Sequence, residues 1–352
     1  MNNYLYIILM KLLFIPESGH YKNWIGKTYS DILSEYVKNT KNTVDILYND
    51  DYNGLSQYDF TNKRPDMIIF FTTDVICIDC KLAFIFDLGI NISVCSLDLF
   101  YFENCKNDKY IQKCKNIIHF SHASKLLQSY ENYFPDKRIF DLKGRFVNTT
   151  RFKNYDLAKK YDILIYGSRG GGACGKNEIE SHLADIEYKN KYESFHEKLL
   201  ENKHFFYPLR VKIEELLVKN SHKYNLKILN NACIFNASVA NEELSKLINE
   251  SYLTLSCCTR ADIAMAKYFE IPASYSAILG NIPSDYQELF EGNIVEVTEW
   301  MSDEEILNTI DKALENKEKL WEMTKRLGDR VHCEYNLDEG TKNMDEIFEK
   351  CL

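Results

Sequence analysis

Arg260-Ala-Asp-Ile-Ala-Met-Ala-Lys-Tyr-Phe-Glu-Ile-Pro-Ala-Ser274, preceded by the apolar, β-prone run Tyr252-Leu-Thr-Leu-Ser256, is the stretch from which the fold can be read. A buried strand runs out into a short loop, and a helical pattern then begins. In an open α/β sheet that junction presents backbone N–H groups and the positive end of a helix dipole to an anion. Asp262, Lys267 and Glu270 fall within about two helical turns. A carboxylate there suits ribose hydroxyls and an ammonium suits a diphosphate, so the stretch reads as a nucleoside-diphosphate site.

Working outward, strands and helices alternate on both sides of it. Asp162-Ile-Leu-Ile-Tyr166 reads as a buried strand ending at Gly167-Ser168. A helix at Lys212–Asn220, a strand at Leu226–Leu229, a loop at Asn230–Ala240 and a helix at Glu242–Asn249 lead to the Tyr252–Ser256 strand. Beyond the central stretch come strands at Ser276–Leu279 and Ile294–Val297, with a short helix between them. Helices at Asp303–Glu315, Lys317–Gly328 and Asp338–Cys351 follow. Nearer the N-terminus, short apolar runs at Tyr6–Ile15, Thr43–Leu47, Met67–Phe71, Ile90–Cys95 and Ile117–Phe120 read as strands. Helical spacing at Ser30–Val37, Lys81–Leu88 and Ala123–Tyr130 separates several of them. Such alternation implies parallel sheets covered on both faces. The polar, turn-like segment Asn148–Tyr155 marks the junction between two α/β halves.

Composition is consistent with this. A chain of 352 residues, 45% of them hydrophobic, is long enough for two cores of ordinary size. The net charge of −9, with no dominant basic patch, argues against a nucleic-acid partner. Eleven cysteines are scattered through apolar segments and read as reduced, buried thiols, which points to a cytoplasmic setting. Cys77-Ile-Asp-Cys80 has redox or zinc spacing but no partner pair, and Cys257-Cys258 lies in an apolar stretch. The run Tyr4–Ile15 contains Lys11 and is too short to cross a bilayer, so no transmembrane segment is expected.

Lys267-Tyr-Phe-Glu-Ile-Pro-Ala-Ser274, then Ile278-Leu-Gly-Asn281 and Glu288-Leu-Phe-Glu-Gly-Asn-Ile-Val-Glu-Val297, resembles the C-terminal domain of GT-B glycosyltransferases. The similarity is to the "glycosyl transferases group 1" type and its K-x-F-E-I-x-A-x-G pattern. Asp262 and Glu270 keep that type's E-x7-E spacing with aspartate first, and Tyr275 stands where the pattern carries glycine. The resemblance implies two Rossmann-like doubly wound domains facing a cleft: an acceptor-binding domain over 1–152 and a nucleotide-sugar-binding domain over 153–335. A C-terminal helix over 336–352 would pack back on the first.

The implied activity is transfer of a sugar from a nucleotide-diphosphate sugar to an acceptor hydroxyl, with a glycan, protein or small-molecule acceptor. No cofactor is called for beyond the donor substrate. The chain has no D-x-D, so no metal is expected, and protein cations with helix dipole would stabilise the departing diphosphate. Glu270 would take the ribose. Lys267, Arg260 and Thr259 would meet the diphosphate, as would Gly167, Ser168 and Arg169 after the Asp162–Tyr166 strand. Asp262 either joins them or caps the helix. Tyr207-Pro-Leu-Arg210 starts a helix, from which the planar guanidinium of Arg210 suits phosphate. The loop Asn231-Ala-Cys-Ile-Phe235 would hold the base, around Cys233. His20, in Ser18-Gly-His20, and Asp98 are the candidate catalytic bases. Retention and inversion both remain open.

Two rivals stand beside this. Gly170-Gly-Gly-Ala-Cys-Gly-Lys-Asn177 has the G-x4-G-K spacing of a P-loop, but Asn177 replaces the Mg2+-binding Ser/Thr and no Walker B run follows. Within the GT-B reading, Lys176 of that loop would instead join Arg169 near the diphosphate. The substitutions at Asp262 and Tyr275 also fit a non-catalytic scaffold that binds nucleotide sugar or glycan.

Overall fold

The computed structural model describes residues 9–17, 28–72, 80–96, 109–119, 127, 131–132, 134–142, 145–167, 207–229, 241–259 and 262–352. They fall into two compact units, residues 1–146 with 337–352, and residues 147–336.

The first unit is a six-stranded parallel sheet, ordered β2-β1-β3-β4-β5-β6. Its strands are β1 (Lys11–Pro16), β2 (Thr43–Ile46), β3 (Met67–Thr72), β4 (Asn91–Ser96), β5 (Asn116–His119) and β6 (Arg138–Asp141). Helices α1 (Thr28–Asn39), α2 (Tyr52–Gln57) and α3 (Lys109–Lys113) lie between strands in sequence. One sheet face is covered by α1 and by α10 (Leu337–Cys351), the last helix of the chain. Phe14, Tyr36 and Phe348 meet there edge to face, with ring centroids 5.5–5.7 Å apart.

Two expectations for this unit change. Lys81–Leu88 forms no α-helix; a 3-10 helix spans Cys80–Asp87. Its inward residues, Leu82 and Ile85, are three apart, the spacing a 3-10 turn stacks on one side. Gly89, at φ +64°, ends it. Strand β6 has no counterpart in the sequence reading, because four residues, one exposed and three half-buried, leave little apolar signal. The expected helix at Ala123–Tyr130, apart from residue 127, and residues 6–8 of the first apolar run lie outside the described residues.

The second unit is a five-stranded parallel sheet, ordered β11-β10-β9-β7-β8. In chain order it comprises β7 (Tyr161–Ile165), α4 (Pro208–Lys219), β8 (Leu226–Ile228), α5 (Asn241–Asn249) and β9 (Ser251–Leu255). Then follow α6 (Lys267–Ala273), β10 (Ala277–Gly280), α7 (Gln287–Phe290), β11 (Val295–Glu296), α8 (Asp303–Glu315) and α9 (Lys317–Glu334). Alternate strand residues enter opposite cores, as the two-residue period of a strand requires. Ile163, Leu253 and Leu279 join Leu209, Ile213 and Leu217 of α4 on one face. Leu164 and Ile278 join Tyr268, Phe269 and Ile271 of α6 on the other.

Both sheets are therefore parallel and buried on both faces, as the alternation of elements implied. In the second, strand order reverses between β7 and β9. That switch point is where an open α/β sheet leaves a crevice at the carboxyl ends of its strands.

Candidate functional site

Two helices deliver cations to the carboxyl end of β7 from opposite faces of the sheet. Tyr207 is the N-cap residue of α4 and Pro208 takes the first helical position, where its missing N–H costs nothing. This start brings Arg210 over the strand end, 2% exposed. Its Nη2 donates to the carbonyl of Tyr166 and, at 2.9 Å, to that of Gly167. From the other face Lys267, the first residue of α6, donates from Nζ to the same Tyr166 carbonyl at 3.0 Å. Its ammonium lies 4.8 Å from the Tyr166 ring centroid.

Gly167 makes this convergence possible. Its backbone is left-handed, at φ +96°, and a Cβ there would stand 1.8 Å from Lys267 Nζ and 3.2 Å from Arg210 Nη1. No other residue satisfies both the dihedral and the space.

The electrostatics follow from two positive charges in one buried place. Burial, and next the charge of Arg210, hold the Lys267 ammonium well below its usual range. Glu270 and Glu214 act in the opposite direction. Glu270 lies one turn beyond Lys267 on α6 and Glu214 one turn beyond Arg210 on α4, at 7% and 8% exposure. Cys257, just past β9, is pushed up to about 12 by burial and stays a neutral thiol. The Nε–H of Arg210 is buried and has no hydrogen-bond partner among the described residues. Buried polar groups are nearly always paired, so an orphaned guanidinium donor beside a second cation marks a place for an anion.

Thr259 is also buried, and its hydroxyl accepts the N–H of Ile263 at 3.2 Å. It thereby closes a tight turn in which Asp262 is left-handed, at φ +62°. Asp262 consequently lies before α6 and off the helix that the sequence pattern extended through it. Its carboxylate accepts the backbone N–H of Ser284 at 3.2 Å and the Ser284 hydroxyl. Of the two roles considered for Asp262, the cap of α6 is not formed, since the N-cap is Ala266 without a side-chain bond; the carboxylate holds the loop after β10.

Tyr275, at the glycine position of the pattern, has φ +57°. The N–H of Tyr275 bonds the Pro272 carbonyl at 2.9 Å and that of Ser276 bonds Ile271 at 3.3 Å. Those paired bonds are a Schellman ending, whose left-handed residue is usually glycine. Tyrosine is held in place by its hydroxyl bond to Asp329 Oδ1 at 2.6 Å and by ring contacts with Trp321 and His332.

The described residues therefore bring together Gly167, Arg210 and Lys267, with Glu270 one turn away. Tyr207 sits at the cap of α4, while Thr259 and Asp262 organise the loop leaving β9. His20, Asp98, Ser168, Arg169, Lys176, Cys233 and Arg260 lie outside the described residues, as does the Gly170–Lys176 loop. Sequence reading overlooked the Tyr166 carbonyl and Glu214, for which the i,i+4 spacing of Arg210 and Glu214 was the available signal, and took Cys257 only as a buried thiol. Of the described cysteines Cys333 is exposed, contrary to the expectation of buried thiols throughout. Among the described residues no three His, Cys, Asp or Glu side chains gather as a metal site, and no helix is long and apolar enough to cross a membrane.

Residues 204–346 match the family described as glycosyl transferase-like. No curated protein sequence matches the chain. Several solved structures share its fold along nearly its whole length. Anabaena HepE, solved with UDP and glucose, aligns with a TM-score of 0.58 at 11% identity, covering 97% of this chain and 100% of that one. Sucrose-phosphate synthase from Thermosynechococcus elongatus gives 0.59 at 10% identity, covering 97% and 98%. An α-glucosyltransferase, solved with UDP and a 13-mer DNA containing an HMU base, gives 0.53 at 10% identity, covering 98% and 100%. With two parallel doubly wound sheets, the chain shares its fold with these glycosyltransferases along nearly its whole length, and residues 204–346 carry the likeness to the glycosyl transferase-like family.

Proposed function

We propose that this protein transfers a sugar from a nucleotide-diphosphate sugar to an acceptor hydroxyl, with the donor held by residues 147–336. The observation that carries the reading is the meeting of Arg210 and Lys267 on the Tyr166 carbonyl at the switch point, with the Arg210 Nε–H unsatisfied. A diphosphate would supply that missing acceptor and neutralise both charges. As the glycosidic bond breaks, negative charge grows on the leaving diphosphate, and fixed cations stabilise it without reorganising. In this reading they replace a metal ion. Glu270 takes the ribose hydroxyls, and the base that activates the acceptor comes from His20 or Asp98. The UDP bound in HepE and in the α-glucosyltransferase supports a uridine donor as the first candidate.

A second reading, a scaffold that binds nucleotide sugar without turnover, draws on Asp262, whose carboxylate is engaged by Ser284. The two part on one product, free nucleoside diphosphate.

The test is thermal shift with UDP-, GDP- and dTDP-sugars, with and without Mg2+, with ATP alongside. A sugar nucleotide should stabilise the protein in the presence of EDTA. Lys267→Met and Gly167→Ala should each weaken binding by about 1.5–3 kcal/mol, the worth of a hydrogen bond to a charged group. That is roughly tenfold or more in Kd. Stabilisation by ATP and Mg2+ alone, lost in Lys176→Ala, would sink the reading and revive the P-loop. Binding without release of nucleoside diphosphate over an acceptor panel would favour the scaffold.

A further inference from the structure

The opposite edge of the same sheet, where β7, β9 and β10 begin, borders a cavity of about 300 Å3. That is the lower end of the size range of small-molecule sites. Its wall includes Lys159, Tyr252, Tyr275, Lys317 and Trp321, with Glu318 also lining it. Lys159 precedes β7, and its Nζ donates to the carbonyls of Ser251 and Tyr275 at 2.9 and 2.7 Å. An ammonium carries three hydrogens, and among the described residues no carboxylate pairs with this one. Burial alone lowers it to about 7. A cation drawn out of water without an acid partner is stabilised by any anion that can reach it.

The remaining surfaces are aromatic. The Trp321 ring lies 6.0 Å from Lys159 Nζ and 6.0 Å from the Tyr275 ring, and Trp321 is 40% exposed. Lys317 places its own Nζ 4.4 Å from the Tyr252 ring centroid. Exposed aromatic faces beside a cation suit a ring, either an aryl group or the C–H face of a pyranose. Glu318 opposes any ligand carrying more than a single negative charge.

We propose that this cavity binds a small ring compound bearing one carboxylate, its ring against Trp321 and its carboxylate on Lys159, with Lys317 as the second cation. The site lies at the end of the sheet away from the Arg210–Lys267 pair, so it is separate from the donor position and independent of the activity assigned there. Two ring types carry such a carboxylate, a uronic acid and an aryl acid.

The test uses the full chain, titrated with glucuronate and with benzoate, each paired with its neutral counterpart, glucose or benzamide. Binding is followed by calorimetry and by intrinsic tryptophan fluorescence, the share of Trp321 being the difference from Trp321→Ala. One of the two acids should bind about tenfold or more tightly than its neutral partner, the scale of a charged hydrogen bond. Glucuronate would identify the ring as a sugar and benzoate as an aryl group. Lys159→Met should abolish that preference while leaving the sugar-nucleotide thermal shift intact, which also reports that the variant folds. Should Lys159→Met unfold, Trp321→Ala at a half-open position serves instead and should weaken both ring types. The proposal fails if neither acid binds the wild-type chain at millimolar concentration, or if Lys159→Met or Trp321→Ala binds the acid as well as wild type.

Discussion

Lys267 and Arg210 share one carbonyl acceptor, and that arrangement has a consequence for protons. Because burial and a neighbouring cation lower Lys267 in the folded protein, the unfolded chain binds more protons than the folded one between that lowered value and about 10.5. This group's contribution to stability therefore rises with pH across that interval. An anion in the cradle works the other way: it favours the ammonium and raises the value again. Binding of a nucleoside diphosphate should take up a proton wherever pH lies between the free and bound values. Affinity should fall as pH rises through the same window. Calorimetry in buffers of differing ionisation heat measures the uptake directly, and Lys267→Arg should remove it, since guanidinium keeps its proton throughout. Equal heats in all buffers for the wild-type protein would show that Lys267 does not face the ligand. At this scale the sequence made part of the arrangement legible. Lys267 and Glu270 sit one turn apart in a single stretch, and Arg210 follows a proline at a helix start. It could not show that Arg210 and Lys267 arrive from opposite faces of one sheet, because that meeting depends on which helix covers which face. Nor does spacing reveal that a backbone carbonyl, Tyr166, is the point they share.

Helix α6 has only seven residues, with Pro272 inside it, so its position depends on what surrounds it rather than on its own hydrogen bonds. Its Schellman ending rests against α9 at Gly328. A Cβ there would stand 2.7 Å from the Pro272 carbonyl and 3.3 Å from the Tyr275 ring. Gly328→Ala should therefore destabilise the second unit by about 1–3 kcal/mol, the cost of overpacking, despite alanine's better helix propensity. Because α6 carries Lys267 and Glu270, donor affinity should fall with it. Denaturant unfolding, with and without nucleotide, separates the two effects; a variant as stable as wild type would mean that α9 shifts freely. Legibility at the element scale follows the strength of each local signal. Asp303–Glu315 has the expected bounds because Ser302 and Glu305 form a capping box, written in the sequence as S-x-x-E. The helical spacing at Lys81–Leu88 does not tell the 3-10 helix at Cys80–Asp87 from an α-helix, because Leu82 and Ile85 satisfy either period over so short a run. Strand β6 was invisible for another reason. It is an edge strand, and its Arg138 is spent on polar contacts to Asn116 and to the carbonyls of Lys350 and Cys351.

Those contacts bear on how the whole chain is assembled. The first unit is discontinuous: residues 1–146 are completed by α10, which is made only after the second unit has passed. Short apolar runs made its sheet legible from sequence except for β6, whereas its dependence on the far end of the chain, implied by the family resemblance, is a tertiary fact that spacing does not encode. Several ties hold α10 along its length. Phe348 is fully buried among Phe14 and Tyr36. Asp345 Oδ1 accepts from the Tyr36 hydroxyl at 2.7 Å, from Thr40 Oγ1 at 2.9 Å and from Asn42 Nδ2 at 2.9 Å. The carbonyl of Cys351, at the end of the helix, accepts from Asn91 Nδ2 at 2.8 Å and from Arg138. Phe348→Ala should cost the first unit about 3–5 kcal/mol, since it removes the ring's transfer energy and leaves a cavity between two other rings. A loss of that size is a large share of the stability of one domain. Ending the chain at residue 336 removes these ties and leaves α1 alone over that face of the sheet. The first unit should then lose cooperative unfolding and amide protection, while the second, with its own sheet and two cores, keeps its transition and its stabilisation by nucleotide. Hydrogen exchange read unit by unit makes the comparison. Full protection of β1 and β3 in the shortened chain would mean that the first unit's core closes without α10, and loss of protection in both units would mean that they fold as one.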